Sequence, residues 1–231
     1  MPKLDDKLIV VTGAFGVLGS AVAEAAEGAG ARVARLDQAS AAKPGPLVFG
    51  NLDLTDEADA RRVMAEIAAE AGRIDGLVNI AGGFTWRTLK DGSTEVWDQM
   101  FRINLLTAVS ASRAALDHLT AAKGAIVNIG ANAAARAAAG MGAYAASKSG
   151  VLRLTESLAE ELAGAGVRVN AVMPSIIDTP ANRRDMPDAD VKTWVLPRDI
   201  AAVILFLLSD EARAVTGAAI PVTNPRRSRA A

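Results

Sequence analysis

Cysteine is absent from this chain, and histidine and tyrosine occur once each, as His118 and Tyr144. Without cysteine there can be no disulfide and no thiol nucleophile, and the composition fits a reducing compartment. His118 has no second imidazole or carboxylate at ligand spacing, so no metal centre is expected. Charge of one sign is also missing: 25 Lys and Arg against 26 Asp and Glu leave a net charge of −1. Such a balance provides no field to hold nucleic acid or an anionic membrane surface. No apolar run reaches the roughly 18 residues that span a bilayer. The opening Met1-Pro2-Lys3-Leu4-Asp5-Asp6-Lys7 is charged and leads straight into a strand pattern, which is unlike a signal peptide. A cytoplasmic protein acting on a small molecule is the expectation that remains.

What is present is apolar residue in quantity, 51% of 231 positions, enough to bury the core of one domain over 1–231. Short β-rich runs, Leu8–Val11, Arg32–Leu36, Leu47–Phe49, Gly76–Asn79, Ala125–Ile129, Val167–Met173 and Ala218–Val222, read as strands. Helical patterns lie between them at Leu18–Glu27, Asp56–Ala71, Thr94–Leu119, Ala143–Ala163 and Pro197–Leu208. Strands apolar on both faces, separated by helices, predict an α/β fold with a doubly wound parallel sheet and helices on both faces. The alanine-rich stretch 131–139 falls between a strand and a helix and is read as a loop or short turn. Residues 177–195 are polar, carry Pro180 and Pro187, and lack either periodicity, so they read as a mobile flap over substrate. The tail 225–231 is expected to be flexible.

Chemistry is suggested at two places. The first is the turn Thr12-Gly13-Ala14-Phe15-Gly16-Val17-Leu18-Gly19, which follows a strand and opens a helix, the context of a dinucleotide-binding fingerprint. Gly13 suits a tight turn, Gly16 a close approach to pyrophosphate, and Gly19 the packing of helix against strand. Asp37 ends the second strand about 20 residues later, where a carboxylate accepts from ribose hydroxyls and repels a 2′-phosphate, favouring NAD(H) over NADP(H). Arg32 and Arg35 lie close enough in sequence to weaken that preference, so NADP(H) stays open. The second place is Tyr144-Ala-Ala-Ser-Lys148. Residues four apart share a helix face, and an adjacent ammonium favours the ionised phenol, so Lys148 is expected to tune Tyr144 toward neutral pH.

With Asp53 in Leu52-Asp53-Leu54-Thr55-Asp56, Asn79-Ile80-Ala81-Gly82, Asn104 and Pro174-Ser175-Ile176-Ile177-Asp178-Thr179, these motifs resemble the short-chain dehydrogenase/reductase family from about Lys7 to Val222. The resemblance implies a single Rossmann-like domain of about seven parallel strands, hydride transfer, and a homodimer or homotetramer. It implies Tyr144 as acid/base, Lys148 as its partner and ribose ligand, and Asn104 as anchor of a proton-relaying water. Its cofactor set maps onto Gly13, Phe15, Gly16, Val17, Leu18, Gly19, Asp37, Asp53, Leu54, Asn79, Ala81, Gly82, Tyr144, Lys148, Pro174, Ile177 and Thr179. Within that set Asp53 would contact adenine, Asn79, Ala81 and Gly82 would line ribose, and Ile177 and Thr179 would hold the carboxamide.

Two positions depart from the family pattern. Val17 stands where the main branch has glycine, and Ala131 stands where the family has the serine that hydrogen-bonds the reacting carbonyl. A methyl group donates no hydrogen bond, and one lost donor to a developing oxyanion typically costs about 10²–10³ in rate. Together with the 177–190 segment and Trp194, these departures resemble the dihydropteridine-reductase branch. That likeness implies NADH reduction of a planar conjugated acceptor such as a quinonoid dihydropterin, with Phe84, Trp86 and Trp194 as stacking surfaces beside Ala131; Trp97 is expected in the core. Reduction of a 3-oxoacyl thioester or another ketone, with water or Asn132 in place of the serine, is an enzymatic alternative. A non-catalytic dinucleotide-binding or redox-sensing protein is the alternative of another class.

Overall fold

The structure is a computed structural model describing residues 2–224; the expected flexible tail at 225–231 lies outside the described residues. Seven strands form one sheet in the order β3-β2-β1-β4-β5-β6-β7: β1 Leu8–Thr12, β2 Arg32–Leu36, β3 Val48–Phe49, β4 Gly76–Asn79, β5 Ala125–Ile129, β6 Arg168–Pro174 and β7 Ala219–Val222. Every pairing within the sheet is parallel. β1, β4 and β5 are buried along their whole length, as sheet strands covered on both sides must be.

Helices α1 (Val17–Gly28) and α7 (Pro197–Leu208) cover one face, where Val22, Ala26, Ile200 and Ile204 pack with Ile9, Val11 and Val127. Across the sheet, α2 (Glu57–Ala71), α4 (Thr107–Ala122) and α5 (Gly142–Leu162) bring Val63, Ile67, Ala115, Leu119 and Leu162 onto Leu8, Val10, Leu77 and Ile126. Strand order reverses between β1 and β4. The crevice beyond the C-terminal ends of those two strands is where a doubly wound sheet holds a ligand.

One expectation is corrected and two are refined. The helix expected over Thr94–Leu119 is α3 (Thr94–Phe101) joined to α4 by a π-helical turn, Arg102–Leu106, with Asn104 at its middle. Such turns concentrate at functional sites because the extra residue re-aims side chains. Trp97 is not core: α3 buries Met100 alone, and the indole is 43% exposed. The segment 177–195 is structured. Thr179 caps α6 (Pro180–Asp185) by accepting from Asn182 N at 3.1 Å, with Pro180 at the first helical position. Ile177 bridges Val195, and Asp178 N donates to Val195 O at 2.9 Å. No helix among the described residues is long and apolar enough to cross a membrane.

Candidate functional site

The site assembles where β1, β4, β5 and β6 end. After β1 the chain turns at Gly13 with φ +64°, a left-handed conformation that L side chains rarely adopt, and a Cβ there would press on Ala81 N at 3.0 Å. Gly19, in the first turn of α1, admits no side chain at all, because its Cβ would lie 2.0 Å from Gly13 O. Gly16 occupies the N-cap position with no side-chain cap, so the backbone amides of the first turn of α1 face outward as an anion cradle. The cradle fits a pyrophosphate.

Thr12 fixes this turn against β4: its Oγ1 accepts from Ile80 N and Ala81 N, each at 3.0 Å, and lies 3.4 Å from Val78 O. Thr12 has no assigned role in the sequence pattern, although a hydroxyl residue ending a strand directly before the glycine turn is a visible signal. Asp37 accepts from Phe15 N at 2.8 Å and from Ala39 N at 2.9 Å, which holds its carboxylate beside the turn. The two arginines able to blunt its charge are engaged elsewhere. Arg35 pairs with Glu27 at 2.9 Å, and Arg32 donates to Ala71 O at 3.2 Å.

Several implied cofactor residues also have structural work. Asp53 accepts from Thr55 N at 2.9 Å in a tight turn, and Leu54 is buried in the core beneath α2. Asn79 donates to Ser112 Oγ at 3.0 Å and Asn128 Oδ1 at 2.8 Å, and Asn128 in turn donates to Thr155 Oγ1 at 2.9 Å. This buried polar chain ties β4 and β5 to α4 and α5. Asn104 braces the loop after β4: its Oδ1 accepts from Gly83 N, while its Nδ2 donates to Gly83 O, each at 3.0 Å, and to Ser147 Oγ at 3.1 Å. Asn104 thus links the Ala81-Gly82-Gly83 loop to the helix carrying Tyr144 and Lys148.

On α5, Lys148 is buried and its Nζ donates to Ile129 O, at the end of β5, at 2.8 Å. Tyr144 meets Phe84 edge-on, with ring centroids 5.0 Å apart and planes at 84°. The expected electrostatics are corrected here. Burial pushes the Tyr144 phenol up to about 12 and the Lys148 ammonium down to about 8. Removal from water drives both shifts, so near neutrality the phenol is protonated and the lysine still cationic.

Ala131 sits on extended backbone just past β5, 6% exposed, and offers a methyl group where a carbonyl-binding hydroxyl was sought. Among the expected stacking aromatics, Phe84 is 56% exposed beside Tyr144. Trp86 is exposed as well, but its Nε1 donates to Ala139 O at 3.0 Å, which anchors it on the 131–140 loop. Trp194 is corrected: at 2% exposure it is a core residue and presents no surface to a substrate. Among the described residues no group of three or more His, Cys, Asp or Glu is placed to hold a metal ion.

Comparison with known proteins agrees with this geometry. The family described as enoyl-(acyl carrier protein) reductase matches residues 13–224. The chain is 33% identical to meso-2,3-butanediol dehydrogenase of Serratia marcescens, over 95% of this chain and 94% of that one. It is 31% identical to a 3-oxoacyl-[acyl-carrier-protein] reductase of Thermotoga maritima, over 95% and 97%. The crystal structure of carveol dehydrogenase from Mycobacterium avium in complex with NAD superposes with a TM-score of 0.85 at 26% identity, covering 96% of this chain and 98% of that one. A Rossmann-like sheet, a glycine cradle at its switch point and Tyr144 with buried Lys148 on one helix, matched over nearly the whole length, place the chain in the short-chain dehydrogenase/reductase family of oxidoreductases.

Proposed function

We propose that the chain is an NADH-linked reductase of a planar conjugated acceptor, of which a quinonoid dihydropterin is the type, with Tyr144 as proton donor. The observation that carries this reading is Ala131, a buried methyl group at the strand end beside the Tyr-Lys helix. For a conjugated, already polarised ring, a hydroxyl clamped on a carbonyl is less necessary than for a simple ketone. The open ring of Phe84, standing against Tyr144, adds a flat wall for it, at roughly 0.5–1.5 kcal/mol for a stacked contact.

A bound nicotinamide supplies hydride at C4. The chain's own residues do the rest. Asp37, with Arg35 and Arg32 tied elsewhere, receives the adenosine ribose and disfavours a 2′-phosphate. Gly16 and the start of α1 receive the pyrophosphate. Ile177 and Thr179, in the segment between β6 and α6, are suited to the carboxamide. Tyr144, protonated at neutral pH, gives its proton to the reduced heteroatom, and the Lys148 cation beside it stabilises the phenolate left behind. Asn104 positions the loop and α5 relative to each other, and so sets where the phenol stands.

A second reading, reduction of a ketone or oxidation of a secondary alcohol, is favoured by the relatives, whose names are those of alcohol dehydrogenases and a 3-oxoacyl reductase. NADH oxidation assayed against quinonoid dihydropterin, an acetoacetyl thioester and simple ketones separates the two. Turnover of the pterin at a kcat/KM well above that of the ketones is expected. Turnover of the thioester or ketones without the pterin would replace this reading with the second.

A further inference from the structure

Among the described residues only two buried side-chain polar atoms lack a hydrogen-bond partner, Asn79 Oδ1 and Ser175 Oγ. Asn79 belongs to the chain of amides tying β4 to β5, and its amide nitrogen is fully used. Ser175 belongs to no such network. Its backbone N donates to Val222 O at 3.1 Å, while its hydroxyl, one residue past β6, meets no donor or acceptor. A buried hydroxyl without a partner is costly, and natural structures keep few of them.

Its place in the fold gives it a use. Side chains alternate along a strand. Ala171 and Met173 of β6 pack with Leu152 of α5, so the odd-numbered side chains of β6 face the helix that carries Tyr144 and Lys148, and Ser175 lies one residue beyond the strand, in the bend that follows it. β5 and β6 end side by side: Ile129 pairs with Val172, and Gly130 N donates to Val172 O at 2.8 Å. The next residue on the β5 side is Ala131. A hydroxyl without a partner therefore stands at the end of one strand, next to the strand end from which a hydroxyl is missing.

From this placement, and resting on the hydride-transfer reading above, we infer that Ser175 supplies the hydrogen bond to the acceptor's polarised oxygen or nitrogen that Ala131 cannot make. Reaching the ligand requires of Ser175 only a rotation about its single side-chain torsion between staggered positions. No covalent step involves Ser175. Hydride reaches the acceptor carbon from the nicotinamide, the proton reaches the heteroatom from Tyr144, and the serine only orients and polarises that heteroatom.

The test compares wild type, Ser175→Ala, Ala131→Ser and the double variant Ala131→Ser/Ser175→Ala, with NADH affinity followed by nucleotide fluorescence. Ser175→Ala is expected to lower kcat on the best acceptor by at least tenfold, to leave NADH affinity within twofold, and to leave the melting temperature unchanged or higher, since the lost oxygen bonds nothing in the free protein. The double variant, which moves the hydroxyl across to β5, is expected to recover most of that rate. An unchanged kcat in Ser175→Ala would overturn the inference, as would a loss confined to NADH affinity, which would make Ser175 a cofactor contact. If the wild type reduces none of the acceptors, the hydride-transfer reading fails separately. Ser175 is then tested by the affinity of the NADH-loaded protein for isobutyramide, a carbonyl probe that is not reduced. Weaker binding by Ser175→Ala would uphold the hydroxyl as a carbonyl ligand, and equal binding would overturn it.

Discussion

Replacing Lys148 by methionine keeps an unbranched side chain of similar reach and removes the buried ammonium. Burial pushes that ammonium from its ordinary 10.5 down to about 8. The folded protein therefore binds its proton more weakly than the unfolded chain does, and stability tied to this group rises as pH climbs from about 8 to 10.5. At pH 7 the lysine is protonated in both states, and at roughly 1.4 kcal/mol per unit of pKa the fold bears nearly the full penalty, about 3 kcal/mol. At pH 9.5 the folded lysine is mostly neutral and about 1 kcal/mol of that penalty remains. Urea unfolding of wild type and Lys148→Met at both pH values measures the difference, with contributions from other titrating groups cancelling between the two proteins. The stability of the variant relative to wild type should fall by about 2 kcal/mol from pH 7 to pH 9.5. The lost hydrogen bond to Ile129 O lowers the variant at both pH values and does not change that slope. A relative stability flat across this range would refute the claim that burial dominates the electrostatics of the pair.

Other outcomes follow from the same geometry. Thr12→Val strips the acceptor from two backbone amides and should cost about 1–3 kcal/mol in chemical denaturation, together with weaker NADH binding; stability equal to wild type would deny Thr12 its clamping role. Asp37→Ala should raise the KM for NADH about tenfold or more while improving use of NADPH, as seen in paired kinetics with the two nucleotides. An unaltered ratio would remove Asp37 from cofactor selection. Against a Ser175→Ala background, Ala131→Ser should raise rates on simple ketones toward the roughly 10²–10³ that one oxyanion donor provides, measured as kcat, and no gain would show that a hydroxyl at position 131 cannot serve as that donor.

The parallel sheet was legible because β1, β4 and β5 carry apolar residues on both faces, a pattern few other structures tolerate. The glycine turn, Asp37 and the Tyr144/Lys148 spacing were legible for a related reason, since each meets a local backbone or helix-face requirement. The π-helical turn at Asn104 was not. Apolar and polar residues run through 94–119 without a break, and only the pairing of Asn104 with Gly83 and Ser147, far apart in sequence, shows why the helix widens there. α6 was missed because six residues, four of them polar, have no periodicity to read, though Thr179-Pro180 carried a cap and first-turn signal. Trp194 was misplaced because segment polarity says nothing of one indole's burial. The titration of Tyr144 and Lys148 was misjudged because i,i+4 spacing reveals proximity and not the depth at which the pair lies.

The central claim is that the phenol of Tyr144 delivers the proton that accompanies hydride transfer. Single-turnover oxidation of bound NADH, followed at 340 nm with the best acceptor in wild type and in Tyr144→Phe, tests it most directly. The account predicts that the variant binds NADH as tightly as wild type and loses at least a hundredfold in the chemical step, within the range that general acid catalysis contributes. Equal single-turnover rates in the two proteins would contradict it.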